Sequence, residues 1–343
     1  MSGNELIFLR KRHIKFFQRC LQVLPSSSVT FDTTRMTVLF FTVSGLDLLN
    51  SLEELGTKER NEIIEWIYSL QVIPKEGQDD LSVGGFRGGS SLAGNHCEED
   101  YLGNVAQFDN GHIAMTYTAL ASLLILGDDL SRVNRNAVLA HVAALQCTDG
   151  SFYSSVGGSE NDMRFVYCAA AICYILQDFS TINVEGAVKY ITHSLSYEGA
   201  MGQGINLESH GGSTYCAVAA LHLMGELDRA LSSKQRARLV RWLVLRQDSC
   251  NGSGLQGRPN KPPDTCYTFW VGASLKLLNC LEYIELAALR SFVLSTQDPI
   301  TGGLAKYPDT HPDGLHTYLG ERICLTAISS GGSLVVDKSS QVS

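Results

Sequence analysis

The chain has 343 residues, of which 44% are hydrophobic and only 18% charged, below the quarter or so usual for a soluble protein. Its net charge of −8 argues against nucleic acid or an anionic membrane as the main partner. The charge deficit points instead to surface buried against a partner or around an apolar cavity. The opening MSGNELIFLRKRHIKFFQRC lacks an apolar stretch long enough for a signal peptide, and no run reaches the ~18 residues of a membrane span. Ten cysteines lie scattered through apolar stretches without a CxxC pair, which fits reduced thiols in the cytosol better than a disulfide framework.

A helix-ending signature followed by a glycine turn recurs along the chain. It reads Leu70-Gln71 before Gly84-Gly85-Phe86, and Leu145-Gln146 before Gly150-Ser151-Phe152. Weaker copies stand at Leu195-Ser196 with Glu198-Gly199, Arg246-Gln247 with Gly254-Leu255, and Gln297 with Gly302-Gly303-Leu304. From position 71 to 146, 196, 247 and 297 the steps are 75, 50, 51 and 50, so the repeat is about 50 residues. The long first step contains a polar, Gly-rich insertion at 88–110, expected to be a loop. The segments before each turn, such as 61–71 and 233–247, are amphipathic and predict outer helices. The segments after it (112–126, 162–176, 210–224, 264–278 and 313–328) are apolar nearly all round and predict buried inner helices. Strand signals are almost absent. The predicted fold is all-α, an α/α toroid (barrel) of repeated helix pairs.

Aligned on Tyr117, Tyr167, Tyr215, Phe269 and Tyr318, the inner helices carry His112, Asp162, His210, Asp264 and Asp313 five positions earlier. In a closed barrel these first turns share one rim. Asp162 and Asp313 fit equally well as helix N-caps. His and Arg are poor caps, however, and Arg164 in a first turn opposes the helix dipole, so an anion at the mouth is expected. Arg258, Lys261 and Lys306 lie in loops on that side. Asp264, Cys266 and His316 combine a carboxylate, a thiol and an imidazole on neighbouring repeats, a set suited to Zn²⁺ with one open position. A metal that holds a thiol as thiolate, cations for a departing diphosphate and a barrel for a hydrocarbon are the three parts of thioether formation from an allylic diphosphate.

From about Phe8 to Tyr318 the sequence resembles the protein prenyltransferase β subunits, most specifically the type I geranylgeranyl class. The resemblance rests on the strings FFQRCLQVLP, EWIYSLQV, GHIAMTYTAL, ILGDDLSRVN, GSENDMRFVYCA, LESHGGST and GRPNKPPDTCYTFW. It implies zinc held by Asp264, Cys266 and His316. It implies diphosphate binding by His210, Gly211, Gly212, Arg258, Lys261 and Tyr267, with Arg164 beside the substrate. Trp270 matches a wall of the isoprenoid channel, and Thr37 and Phe41 match its far end. His112, Ala114 and Phe165 match the pocket that reads the last residue of a CaaX tail. Lys306 stands where farnesyl-specific relatives carry an Asp that helps hold Mg²⁺, so Mg²⁺ is not expected to be required. The implied partner is a helical-repeat α subunit, the substrates geranylgeranyl diphosphate and CaaX-terminated proteins. Farnesyl-type and Rab-type β subunits are the alternatives within the class, and a catalytically impaired helical-repeat binding subunit the alternative outside it. No DxDD acid motif supports a terpene cyclase.

Two stretches depart from the family. The loop within 248–256 is longer than usual. Residues 321–343 replace an apolar helix, so the chain reads as one barrel domain over 1–320 and an atypical, partly disordered tail. Leu315, Leu319 and Ile323 keep a helical spacing, while Glu321 and Arg322 either spoil a buried face or point to solvent.

Overall fold

The computed structural model describes residues 6–22, 24, 26–74, 83–92, 110–158, 160–248 and 253–326. Most of the insertion at 88–110, part of the 248–256 loop and residues 327–343 lie outside that set. Among the described residues the elements are helices, short 3₁₀ turns and isolated bridges. Six helix pairs follow one another, outer then inner. They are α1 (Arg10–Gln22) with α2 (Arg35–Leu48), α3 (Thr57–Ser69) with α4 (Ile113–Ile125), and α5 (Arg135–Ala144) with α6 (Met163–Ile175). Next come α7 (Val184–His193) with α8 (Gly211–Leu223), a single-turn α9 (Leu227–Ala230) leading to α10 (Ser233–Val244) with α11 (Thr265–Leu277), and α12 (Leu286–Ser295) with α13 (Gly314–Thr326). The first pair lies outside the five copies read from the sequence. Its inner helix starts after Thr34 and brings Phe40 to the aromatic position one residue later than the other copies do.

Each inner helix packs on the next, α2 on α4, then α6, α8, α11, α13 and back to α2, so the ring is closed. The signature glutamines hold that ring from outside. The Gln71 carboxamide accepts from Asn134 N–H and donates to the Arg132 carbonyl, ahead of α5. Gln146 makes the same pair of bonds to the backbone of Asn183, and Gln247 to that of Glu285. Gln297 reaches the start of the chain, accepting from Leu9 N–H at 2.9 Å and donating to the Ile7 carbonyl at 3.1 Å. The last repeat is thereby stitched to the first. Each such amide satisfies one donor and one acceptor at a helix entry.

The bridges correct one register. Gln71 pairs with Phe86, Gln146 with Phe152, Gln247 with Leu255 and Gln297 with Leu304, but in the third copy the paired residue is Leu195, opposite Met201. The copy therefore starts at 195 rather than 196. A leucine has no amide to reach the next outer helix, and there α10 caps itself: Ser232 and Gln235 form a reciprocal capping box.

The first residues of the inner helices are linked around one end. Met36 N–H donates to the Gly88 carbonyl, Ile113 to Ser154, Met163 to Gln203, Gly211 to Gly257 and Thr265 to Lys306, all at 2.8–3.1 Å. Five of the six helix starts are thus tied to the turn that precedes the following inner helix. All six starts lie on one rim. No helix among the described residues is long and apolar enough to cross a membrane.

Helix α13 runs through position 320, and neither Glu321 nor Arg322 points to bulk solvent. Glu321 is fully buried between α13 and α1. Its nearest partner is His13 Nδ1 at 3.4 Å, and neither carboxylate oxygen receives a hydrogen bond. His13 is committed elsewhere: Nδ1 accepts from Gly303 N–H at 3.0 Å and Nε2 faces the Gln297 carboxamide oxygen at 2.8 Å. Burial pushes the Glu321 carboxyl well above the usual range and the His13 imidazole below it, so the pair is neutral. The folded state keeps a proton that the unfolded chain gives up in the ordinary glutamate range, so stability falls as pH rises above that range. Glu321→Gln, a neutral side chain of the same shape with no proton to lose, should therefore stabilise the protein at pH 7.5. The gain should shrink toward pH 4.5. Melting curves at the two pH values test this, and a pH-independent difference would contradict it.

Candidate metal centre and anion pocket at the rim

The aligned rim position is an N-cap in every copy, and the two histidines fill it as the aspartates do. His112 Nδ1 accepts from Ala114 N–H and His210 Nδ1 from Gly212 N–H, both at 3.1 Å. Asp162 Oδ1 accepts from Arg164 N–H at 2.8 Å, Asp264 Oδ1 from Cys266 N–H and Asp313 Oδ1 from His316 N–H, both at 2.9 Å. Histidine caps well here because burial keeps it neutral and its unprotonated Nδ1 free to accept. The His112 ring is pushed down to about 4 by burial, with His141 and Arg164 adding to the shift. His210 is lowered by burial and then by the Arg258 charge. Its other nitrogen, Nε2, stands 3.0 Å from the Tyr267 hydroxyl.

Asp264, Cys266 and His316 converge as their spacing in the repeat predicts. One ligand atom from each lies within 4.8 Å of the others. Asp264 and Cys266 are buried in the first turn of α11, and His316 comes from the first turn of the adjacent α13, with Nε2 3.3 Å from Asp264 Oδ1. His316 Nδ1 is held by Asp313 Oδ2 at 2.6 Å, which turns Nε2 toward the other two groups. Burial opposes a charge on His316, but its bonds to Asp264 and Asp313 win and push it up to about 9. Burial and the Asp264 charge drive the Cys266 thiol far above its ordinary range. On their own the three groups rest as a carboxylate, a neutral thiol and a protonated imidazole, and a divalent cation between them would favour the thiolate and the neutral imidazole. The set fits a divalent metal held by one oxygen, one sulfur and one nitrogen.

Asp313 has a second role that reading the copies one by one missed. It occupies the cap slot, yet its second oxygen orients the imidazole, the arrangement that fixes metal-binding histidines elsewhere.

Three of the four cationic residues on this rim are answered by a carboxylate. Lys306 Nζ is 3.7 Å from Asp264 Oδ2, and Arg258 bonds Glu208 at 2.6 Å across the two turns that flank His210. Lys261 is exposed in the same turn as Arg258. Arg164 clasps Asp162 at 2.6–3.0 Å and lies 3.7 Å from Glu160, which removes the conflict with the helix dipole. Tyr267 stands between His210 and the turn of Arg258, its ring flat on Gly257: a Cβ there would come within 2.1 Å of the ring. Gly257 is a second residue missed, visible in hindsight as the glycine opening GRPNK. Gly211 is likewise closed in by Tyr267 and Val271, while the Gly212 N–H is spent on the His210 cap.

His112 and Phe165 meet edge to face at 5.9 Å, with Ala114 in the first turn of α4 and the Arg164 guanidinium over the Phe165 ring. Trp270 packs against Tyr215 and Phe269 on the lumen wall of α8 and α11. Thr37 lies in the first turn of α2, with its hydroxyl 3.4 Å from Met115 Sδ, and Phe41 stacks near Tyr318. In the ring order α2 lies across from α8, so Thr37 sits near the rim on the side opposite α8.

Residues 8–333 match the prenyltransferase alpha-alpha toroid domain. The chain belongs to that family. Among curated prenyltransferase relatives it is 40% identical over 312 residues to the geranylgeranyl transferase type-1 subunit beta of Dictyostelium discoideum, covering 89% of this chain and 87% of that one. It is 38% identical over 326 residues to the protein of the same description from Arabidopsis thaliana, covering 93% and 85%. The solved structure of Candida albicans protein geranylgeranyltransferase-I complexed with GGPP superposes with a TM-score of 0.82 over 97% of both chains, at 24% identity, a likeness of fold.

Removing the oxygen that aims His316 should loosen the metal without removing a ligand. Asp313→Asn keeps a capping oxygen for His316 N–H and loses the carboxylate. It should weaken binding of a divalent metal by about ten- to a hundredfold. Competition against a chelator of known affinity measures it; an unchanged affinity would show that Asp313 only caps.

Proposed function

We propose that this chain is the catalytic β subunit of a zinc-dependent protein prenyltransferase that moves geranylgeranyl from its diphosphate to the cysteine of a C-terminal CaaX sequence. The observation that carries this reading is the meeting of Asp264, Cys266 and His316 beside a cluster of cations, at the mouth of a lumen lined by aromatic rings. The type-1 β subunits it resembles support the substrate class. A zinc ion held by the three residues would supply a Lewis acid whose open position lowers the pKa of a substrate thiol.

The remaining work falls to the chain itself. As the thiolate sulfur bonds to the first carbon of the prenyl group, the carbon–oxygen bond to diphosphate breaks and its electron pair leaves on oxygen. Arg258, Lys261 and Lys306 receive that charge, with His210 and Tyr267 donating hydrogen bonds to it. The Glu208 and Asp264 carboxylates hold Arg258 and Lys306 in place beforehand, so the cations are prearranged rather than recruited. Lys306 supplies permanently the positive charge that Mg²⁺ would otherwise bring, so Mg²⁺ is not required. His112, Ala114 and Phe165 receive the last residue of the peptide. Trp270 walls the isoprenoid, whose end lies toward Thr37 and Phe41, where a small Thr leaves room for twenty carbons. An α subunit completes the enzyme.

Co-expression with a prenyltransferase α subunit, followed by zinc analysis and a transfer assay on a CaaX peptide, tests the reading. The heterodimer should carry one zinc and transfer geranylgeranyl equally well with and without Mg²⁺. Cys266→Ala should lose zinc and at least about a thousandfold in rate, roughly 4 kcal/mol, while still binding the diphosphate. Near-normal turnover in that variant, or a zinc-loaded heterodimer that transfers nothing, would overturn the assignment.

A further inference from the structure

The aligned aromatics form a belt around the lumen, about five residues below the caps. Phe40 meets Tyr117 at 5.7 Å, Tyr117 meets Tyr167 at 5.4 Å, Tyr167 meets Tyr215 at 5.6 Å and Tyr215 meets Phe269 at 4.8 Å. On the other side Tyr318 meets Phe40 at 5.7 Å. Between Phe269 and Tyr318 the belt is bridged by a guanidinium: Arg322 lies over both rings, 4.9 and 5.3 Å from their centroids. Arg322 is partly buried and keeps some contact with accessible space, as a side chain lining an internal lumen does. Glu321, one residue earlier, turns the opposite way, against His13 of α1. The Tyr117 and Tyr167 hydroxyls, 3.0 Å apart, make the same level of the lumen polar.

We propose that Arg322 is a chain-length determinant, a charged constriction beside the path from Trp270 on α11 to Thr37 and Phe41 on α2. The inference rests on the reading that the lumen holds an isoprenoid chain. Helix α13 stands between α11 and α2 in the ring, and Trp270 and Phe41 each adjoin a ring that the guanidinium covers. A chain that takes the α13 side from one wall to the other passes Arg322. Its distal part must either lift the guanidinium off two aromatic faces or lie against a charged group, and a hydrocarbon offers no polar contact in return. The diphosphate and the first carbons, held at the rim, escape that penalty. Arg322 thereby narrows the affinity advantage of longer chains over shorter ones.

The test compares the heterodimer carrying the unaltered chain with Arg322→Leu, Arg322→Gln and Arg322→Lys variants. Dissociation constants are measured for geranyl, farnesyl and geranylgeranyl diphosphate. Leu should tighten binding of the twenty-carbon ligand by about tenfold or more, that of the ten-carbon ligand by less than about twofold, and farnesyl in between. Gln, which keeps the length but not the charge, should show the same gradient if Leu fails to fold. Lys should stay within about threefold of the unaltered chain at each length. Equal changes at all three lengths, or none, would overturn the role of Arg322, because a residue that merely closes the belt has no reason to distinguish chain lengths. If no form of the protein gains affinity as the chain lengthens, the lumen does not hold an isoprenoid, and the functional reading falls with the inference.

Discussion

The first N–H groups of a helix have no partner within the helix, and in a closed ring of helices those groups all face one buried mouth. Five of the six inner helices answer that demand with a side chain that accepts a hydrogen bond; α2, behind Thr34, does not. His112, Asp162, His210, Asp264 and Asp313 meet that demand with two kinds of chemistry in one geometry. A carboxylate has a second oxygen and an imidazole a second nitrogen, and what is left over points into the mouth. The spare atoms of Asp264 and Asp313 face Lys306 and His316, and that of His210 faces Tyr267. A structural requirement of the fold has thus furnished the rim with aimed polar groups.

Closure gives these groups their mutual positions. The metal-ligand set spans two repeats, and the pair Arg258–Glu208 spans two turns, so each depends on how neighbouring helix pairs sit against each other. The glutamine amides fix that spacing from outside and the backbone links at the helix starts fix it at the rim. Gln297 and His13 complete the circle, and Glu321 is buried beside them. The least satisfied carboxyl of the barrel therefore lies at its seam, on the helix that also carries His316.

Much of this was legible in the sequence because a repeat reports position as well as identity. A His, a Cys and an Asp dispersed over some fifty residues mean little alone, but their slots on adjacent copies placed them together. The sequence could not show that histidine would cap, since that depends on burial keeping the ring neutral. Nor could it show the first helix pair as a repeat, where Thr34 and Phe40 replace the usual markers at a different spacing. The one-residue slip at Leu195 has the same origin: without the amide, spacing alone fixed the register. Least legible were Glu321 and Arg322, adjacent charges about 100° apart on a helix, one sent to the seam and one to the lumen. Composition marks both as misplaced on an apolar helix, and only the packing of α1, α11 and α13 decides where each goes.

The central claim, that two neighbouring cap slots and the turns behind them build a single metal centre, is tested most directly by X-ray absorption at the zinc edge of the metal-loaded heterodimer. The account predicts a first shell of one sulfur at about 2.3 Å with nitrogen and oxygen at about 2.0–2.2 Å, and a second sulfur when a thiol peptide is added. A shell of three or four sulfurs, or one without sulfur, would place the metal elsewhere and contradict it.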